Sequence, residues 1–591
     1  MALAPSRCRD DGPAALALHA GVLSTTLRAG RLTRVLVAGH EVWHGVHFLL
    51  RDVHWRTPAL CLGEPRHEAL ASGGWRVVVL GAFDVVPSVA LRIEIVGDGD
   101  GDGDGDGALT ISAEARASGA IEVNRLGLCL LHPLAAAGRA VEVMHTDGRM
   151  TRSTFPTLIP PWPPFSDIRT LRHEFAPAAW ASAEFDGEAF EFEDQRNNAD
   201  ASFKTYARSN FMPRPFALRA GEVLRQQLRL RVEGVPPPAP PTPRWSQSAT
   251  TTTPRDDMQL GLELTRADLA AWAASAERAA ALRPDHLHLA LSALSASSAS
   301  SALSADEPEI DAQALAQVLT AAGARLRLDL LELPAVNPAA AIERIYARLA
   351  HAGVAPADVA VFPTTHEAVT AARRCFARAR IGGGTPDFFV QLNRQDRLPT
   401  LDFLSFTICP IVHSADDETV MQSHRSLAAM LDTLRARHPG VAVQVGPSGI
   451  AARRSPLGAL AESDGRRCVP LAATDPREST QFGAAWIVAH IATAMAAGAQ
   501  AVTVGSLATC RVDSPVGELW ARLGRRLRSA GLRTLPAPLH APWVAMRLSE
   551  PTGAHDLVVN LGAQPIDLDD GYRGVLPPHS MLVFRCAGVQ Q

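Results

Sequence analysis

The densest chemistry in the chain lies between Phe190 and Tyr206. Carboxylates (Glu193, Asp194, Asp200), a guanidinium (Arg196), amides (Gln195, Asn197, Asn198), an ammonium (Lys204) and a phenol (Tyr206) crowd into this one stretch. Such a set can activate a water with a carboxylate, stabilise an oxyanion with a cation and grip a polyol from several sides. The same groups can also pair with one another into a salt-bridged structural loop. The alternation Phe190-Glu191-Phe192-Glu193 predicts a strand with one apolar face, and the polar residues after it predict a loop leaving the strand end.

The stretch also carries a resemblance. Glu193-Asp194-Gln195-Arg196-Asn197 and Asp200-Ala201-Ser202-Phe203-Lys204-Thr205-Tyr206 belong to it. So do His44-Gly45-Val46-His47-Phe48 with Arg51-Asp52, Asn124-Arg125-Leu126-Gly127 and Leu131-His132-Pro133. Further on come Pro164-Phe165-Ser166-Asp167-Ile168-Arg169, Gly382-Gly383-Gly384-Thr385 and Gln391-Leu392-Asn393-Arg394. Together they resemble the D-apionate lactonase family over nearly the whole chain. The resemblance implies a hydrolase that opens the lactone of the branched sugar acid apionate in sugar catabolism. Asn198 stands where that family is expected to carry an aromatic residue, which changes how the loop packs or stacks on a substrate.

At 591 residues the chain exceeds one core and implies two to four domains. A net charge of −4 leaves no basic footprint for nucleic acid. No apolar run approaches a membrane span, and Met1 to Asp11 lacks the layout of a signal peptide. The eight cysteines form no CxxC pair and predict free or buried thiols in a reducing compartment, so a cytoplasmic protein is expected.

These residues need a frame. Residues 1–234 alternate with period two, as in Val89–Ile95 and Leu224–Val232, and predict a β-sandwich domain. The Gly/Asp repeat from Gly97 to Gly107 reads as an acidic hairpin tip. A Pro-rich then Ser/Thr-rich linker spans 235–255. Residues 256–533 then alternate strands with Ala-rich helical stretches, the size of a (β/α)8 TIM barrel. The expected strands are Gln259–Leu264, His286–Ser292, Arg325–Leu331, Val359–Phe362, Asp387–Leu392, Phe403–Cys409, Val441–Val445 and Ala501–Gly505. Helices are expected over Ala267–Ala281 and His424–Arg437, and a loose Ser/Ala-rich loop over Ser292–Asp306. Residues 534–591 return to alternation and predict a small C-terminal β domain.

Barrel sites form at the C-terminal ends of the strands. That rule picks out Glu263, Glu332, Asn393-Arg394 and His413. Glu193, Asp194, Asn393 and His145 are the candidate catalytic residues, with Asp194 or Glu193 as the base and Asn393, Arg394 or Arg196 facing the oxyanion. Arg196, Asn197, Asp200, Lys204, Tyr206, Glu263, Arg394 and His413 are candidates for substrate binding, His413 with Asp416 and Asp417 as possible orienting acids. The expected partner is a small sugar lactone. No cofactor and no metal is expected: HExxH is absent, and His286 and His288 sit at the start of their strand, the wrong end of a barrel for a catalytic metal. No GxSxG elbow occurs, since Gly446-Pro447-Ser448-Gly449 has other spacing. The rival readings are a glycoside hydrolase-like barrel and a non-catalytic carbohydrate-binding protein derived from one. Glycosidase chemistry needs paired acids, and the expected ends of strands four and seven supply none.

Overall fold

The computed structural model describes residues 15–71, 73–98, 107–234, 236–241, 243–245, 258–293, 311–511, 513–526, 531–535, 537, 541–568 and 574–586. Most of the Gly/Asp repeat, of the Ser/Ala-rich stretch after Ser292 and of the Ser/Thr-rich run lies outside them. The chain divides into two compact units. One holds the residues up to Arg196 with Ala201–Pro241; the other holds Asn197–Asp200 with the chain from Thr242 onward.

The first unit is an antiparallel β domain, with hydrogen bonding running through seventeen strands. Period-two alternation builds its core. Val89–Gly97 buries every second residue and pairs with Ala108–Ala117 from Val89↔Ala117 to Gly97↔Leu109. Four strands carry the family-like motifs side by side: His40–Arg51, Arg125–Pro133, Ser202–Ala207 and Phe190–Asp194. Their registers align His47, Cys129, Tyr206 and Glu191 in one row, and Gly45, Leu131, Lys204 and Glu193 in the next. The opposite face points Phe192 and Phe203 into the core, where they meet Phe155 edge-on at 5.4 and 5.2 Å. Each such ring pair adds about 0.5–1.5 kcal/mol beyond simple burial. His132 and His173 join this cluster, 5.6 Å apart.

The second unit contains a closed parallel barrel. Its strands are β1 (Gln259–Glu263), β2 (His286–Ser292), β3 (Arg325–Leu331), β4 (Asp358–Val361), β5 (Arg380–Phe388), β6 (Phe403–Thr407), β7 (Ala442–Ser448) and β8 (Ala501–Ser506). The expected fifth strand, Asp387–Leu392, is corrected. Phe389–Asn393 is a short helix, and β5 runs ahead of it through Gly382-Gly383-Gly384. A Cβ at Gly382 would strike the ring of Phe403, and one at Gly383 would strike Thr364. Gly384 sits at φ +120° against the Ser405 backbone. The glycines are there because neighbouring strands leave no room for side chains. The helix expected over Ala267–Ala281 is split into Arg266–Ala273 and Ala276–Leu282, whereas His424–Arg437 forms as expected.

The barrel interior contains a polar layer. Arg327 reaches across from β3 to Ser405 Oγ at 2.5 Å, His286 bonds Thr503 at 2.8 Å, and His288 contacts Asp329 at 2.9 Å. Gly261 makes space for the His286 ring. Helix Gln481–Ala496 is apolar all round because it is buried between barrel and C-terminal sheet.

That sheet pairs Leu532–Leu535, Trp543–Glu550, Gly553–Asn560 and Met581–Arg585. Its first strand begins before residue 534. Its core also includes Trp245, from the expected linker, stacked on Phe584 at 4.7 Å. Cys61, Cys129, Cys375, Cys409, Cys510 and Cys586 are free thiols, but Cys468 is disulfide-bonded, contrary to the expectation of thiols throughout. Among the described residues no helix is long and apolar enough to cross a membrane.

Candidate active site

The stretch from Phe190 to Tyr206 is largely self-paired. Arg196 clasps Asp194 through Nε to Oδ1 at 2.9 Å and Nη2 to Oδ2 at 2.6 Å, and its backbone N–H donates to Oδ1 at 3.2 Å. The remaining guanidinium N–H groups reach the carbonyls of Pro156 at 2.8 Å and Thr157 at 3.1 Å. The Asp194 and Arg196 side chains are 0% and 5% exposed. Burial pushes the Asp194 carboxyl up and Arg196 pulls it back. In this geometry Asp194 and Arg196 pair with each other and brace the turn. The same clamp recurs at Asp475-Pro476-Arg477, with contacts of 2.9, 2.9 and 2.7 Å.

The other loop candidates behave alike. Glu193 is paired with Lys204 at 2.8 Å. Tyr206 is fully buried, donates its hydroxyl to Glu191 and accepts from Asn210 Nδ2 at 2.8 Å. Arg125 lies over the Tyr206 ring at 3.7 Å. His145 has both ring nitrogens engaged, at 2.7 Å with the Ser166 carbonyl and 2.8 Å with Thr151.

Asn393 is also braced. It is buried in the short helix after β5, donates to Asn197 Oδ1 at 2.9 Å and accepts from Arg437 at 2.7 Å. Both ends of the Asn393 amide are therefore engaged, which fixes its orientation. Arg394 comes next as an exposed residue at the helix end.

Two candidates come together as chemistry. Asp200 and His413 meet at 2.5 Å from Oδ2 to Nδ1, and Ser426 Oγ holds the Asp200 carbonyl at 2.7 Å. His413 comes after β6 and is 22% exposed, against 8% for Asp200. The orienting acid is therefore Asp200. Asp416 instead caps helix Asp417–Gln422 through Thr419 N at 2.8 Å, and Asp417 pairs with Arg477 at 2.7 Å.

The barrel mouth adds Arg453, Arg454 and Glu478 to the strand-end residues Glu263 and Glu332. Glu263, at the end of β1, meets Arg453 Nε at 2.5 Å. Arg453 and Glu478 lie where a Cβ on Gly449 would be, so Gly449 is what lets them approach. Burial works against the Arg453 charge, but Glu263 and Glu478 outweigh it and raise its pKa. Burial also raises Glu478, whose Oε1 accepts from Ala451 N at 3.1 Å. Beyond them Arg454 approaches Asp387 at 3.3 Å and Glu332 at 3.9 Å, and Ser292 donates to Glu332 at 2.6 Å. The signal in the sequence was the tandem Arg453-Arg454 in the loop after β7, which the barrel rule places on the mouth.

Arg453, Glu478 and Asp200 all lie close enough to perturb the Cys409 thiol, which burial pushes up to about 12. Beside the mouth, where Leu507 N bonds the Glu263 carbonyl at 2.9 Å, opens a cavity of about 700 Å³ lined by Trp272, Arg278, Ser479, Leu507 and Arg511 among others. The ends of β4 and β7 carry no acid: they read Val361-Phe362-Pro363 and Gly446-Pro447-Ser448. Such an arrangement can supply an oriented imidazole, a fixed cation and a carboxyl of raised pKa, the parts acyl hydrolysis needs.

Among solved structures, an endo-beta1,6-glucanase matches over 60% of this chain and 96% of its own, at 10% identity and TM-score 0.34. A family 39 glycoside hydrolase from Bacteroides cellulosilyticus WH2 matches over 80% and 98%, at 8% identity and TM-score 0.35. At these scores neither likeness carries an argument. A protein of Brucella anthropi named D-apionate lactonase is 28% identical over 574 residues, 93% of each chain. The family's N-terminal domain matches residues 4–235 and its TIM barrel domain residues 260–512. With both domains matched in order, the chain belongs to the D-apionate lactonase family.

Proposed function

We propose that the protein hydrolyses a branched sugar-acid lactone, D-apionolactone, to the open acid D-apionate, in carbohydrate catabolism, and that the work is done at the barrel mouth. The observation that carries this reading is the 2.5 Å pair of His413 and Asp200, set in the loop after β6 on the mouth of the barrel.

The chemistry balances simply. His413 takes a proton from water, with the Asp200 carboxylate fixing the ring and supporting the imidazolium that forms. The hydroxide adds to the lactone carbonyl. Arg453, held by Glu263, faces the developing oxyanion as a preorganised cation. Collapse breaks the C–O ring bond, and the His413 imidazolium returns its proton to the departing ring oxygen. The products are one carboxylate and one hydroxyl on the same carbon skeleton, with one proton released to solvent as the new acid ionises, and water is the only co-reactant.

The test is turnover of a panel of aldonolactones, apionolactone included, and of aryl glycosides. His413→Gln is expected to lower kcat by about 10²–10⁴-fold, the range for losing a general base. Asp200→Asn should lower kcat less, because the ring keeps a hydrogen-bond partner but loses the charge that supports the imidazolium. Full activity in His413→Gln, or cleavage of glycosides alone, would sink this assignment.

A further inference from the structure

We propose that Arg454, with Asp387 and Glu332, forms the hydroxyl-binding pole of the same mouth and selects polyhydroxylated lactones over plain ones; this rests on the lactonase reading of that mouth.

The two consecutive arginines after β7 are held differently. Arg453 is tight against Glu263 at 2.5 Å. Among the described residues Arg454 makes loose contacts, 3.3 Å to Asp387 and 3.9 Å to Glu332, and is 34% exposed. Two contacts of that length cannot satisfy five guanidinium N–H donors. A tight pair suits a fixed electrostatic role, whereas a loose one leaves capacity for a ligand. Its carboxylates come from the ends of β5 and β3, so the group spans the mouth rather than one edge of it.

Glu332 adds an independent sign. It sits at φ +53°, a left-handed conformation uncommon for glutamate. Such conformers concentrate at ligand-binding positions, where surrounding contacts hold them in place. Here Ser292, at the end of β2, holds one carboxylate oxygen at 2.6 Å. The result is a carboxylate presented beside Arg454 with its other oxygen only 3.9 Å from the guanidinium.

The chemistry that matches is a pair of neighbouring hydroxyls. A carboxylate accepts two O–H bonds from a vicinal diol, and a guanidinium donates to the oxygens of the same pair. One peptide step separates this pole from Arg453. A bound lactone would then lie with its carbonyl at Arg453 and its ring hydroxyls at Arg454. A site built to bond hydroxyls rejects an analogue that lacks them far more strongly than an apolar pocket rejects a missing methylene.

The experiment compares kcat/KM for a polyhydroxylated aldonolactone with that for γ-butyrolactone, in wild type, Arg454→Gln, Arg454→Lys and Asp387→Asn. The ratio is expected to fall by about 10–100-fold in Arg454→Gln, as for loss of charge-assisted bonds, with a smaller fall in Arg454→Lys. A ratio unchanged in folded variants, checked by melting temperature, overturns the inference. Calorimetric binding of the open polyhydroxy acid separates this inference from the lactonase reading. If wild type binds the acid but opens no lactone, and Arg454→Gln loses that binding, the lactonase reading fails while the hydroxyl pole stands. If Arg454→Gln binds the acid as wild type does, the pole is refuted.

Discussion

Replacing Asp194 with asparagine separates a framework role from a catalytic one. The substitution keeps the shape of the side chain and removes its charge. Arg196 then loses the carboxylate held at 2.6 and 2.9 Å and keeps the carbonyls of Pro156 and Thr157. Removing one partner of a buried ion pair costs about 3–5 kcal/mol. The amide oxygen can still accept from the Arg196 backbone, so the lower end, ~3 kcal/mol, is expected. With a urea dependence of ~2–3 kcal/mol per molar, the midpoint should fall by about 1–1.5 M. Urea titrations followed by tryptophan fluorescence, together with turnover well below the transition, read both quantities. The expected result is a lowered midpoint with kcat/KM within about threefold of wild type, a difference of less than ~0.7 kcal/mol. An unchanged midpoint with turnover down a thousandfold would refute the reasoning and return Asp194 to the chemistry.

Other consequences can be measured in the same way. Burial lowers His173 from 6.5 to about 4, so the unfolded chain takes its proton first as pH falls. His173 therefore contributes stability that is full above about pH 6.5 and is lost between there and pH 4, about 3 kcal/mol over the window. His173→Phe should flatten the loss of midpoint over that range, and an unchanged slope would count against it. Gly382→Ala drives a methyl into the Phe403 ring and should cost about 1–3 kcal/mol by overpacking, seen as a lower urea midpoint. Trp245→Ala empties the core around Phe584 and should cost about 3–5 kcal/mol, read as an earlier transition or as new proteolysis of the C-terminal β domain.

An element can be read in advance where its physics is local. Helix His424–Arg437 declares itself because its apolar spacing is set by one turn of chain. Strands β2 and β3 do so because they are short apolar-rich runs bounded by breakers. Strand β5 does not: three glycines resemble a break, and the reason for them is the Phe403 ring, Thr364 and the Ser405 backbone, which come from β6 and the end of β4. The site divides the same way. Its location on the mouth, and Glu263 and His413, come from the barrel rule. The Asp200–His413 pair joins residues 213 positions apart, and no spacing rule reaches that far. Conversely, composition counts the charges at 193–206 without showing that Asp194 and Arg196, or Glu193 and Lys204, pair with each other while Asp200 reaches His413.

Trp245 also bears on how the chain is made. Its place in the C-terminal core is completed by Phe584, so roughly 340 residues must be synthesised before that pocket exists. At about 5–20 residues per second, that delay is about 20–70 s. Through it a large indole waits beside a barrel that is still being built, as bait for chaperones or for a neighbouring nascent chain. A fragment cut at residue 256 would leave the last domain with a hole where its oldest residue belongs.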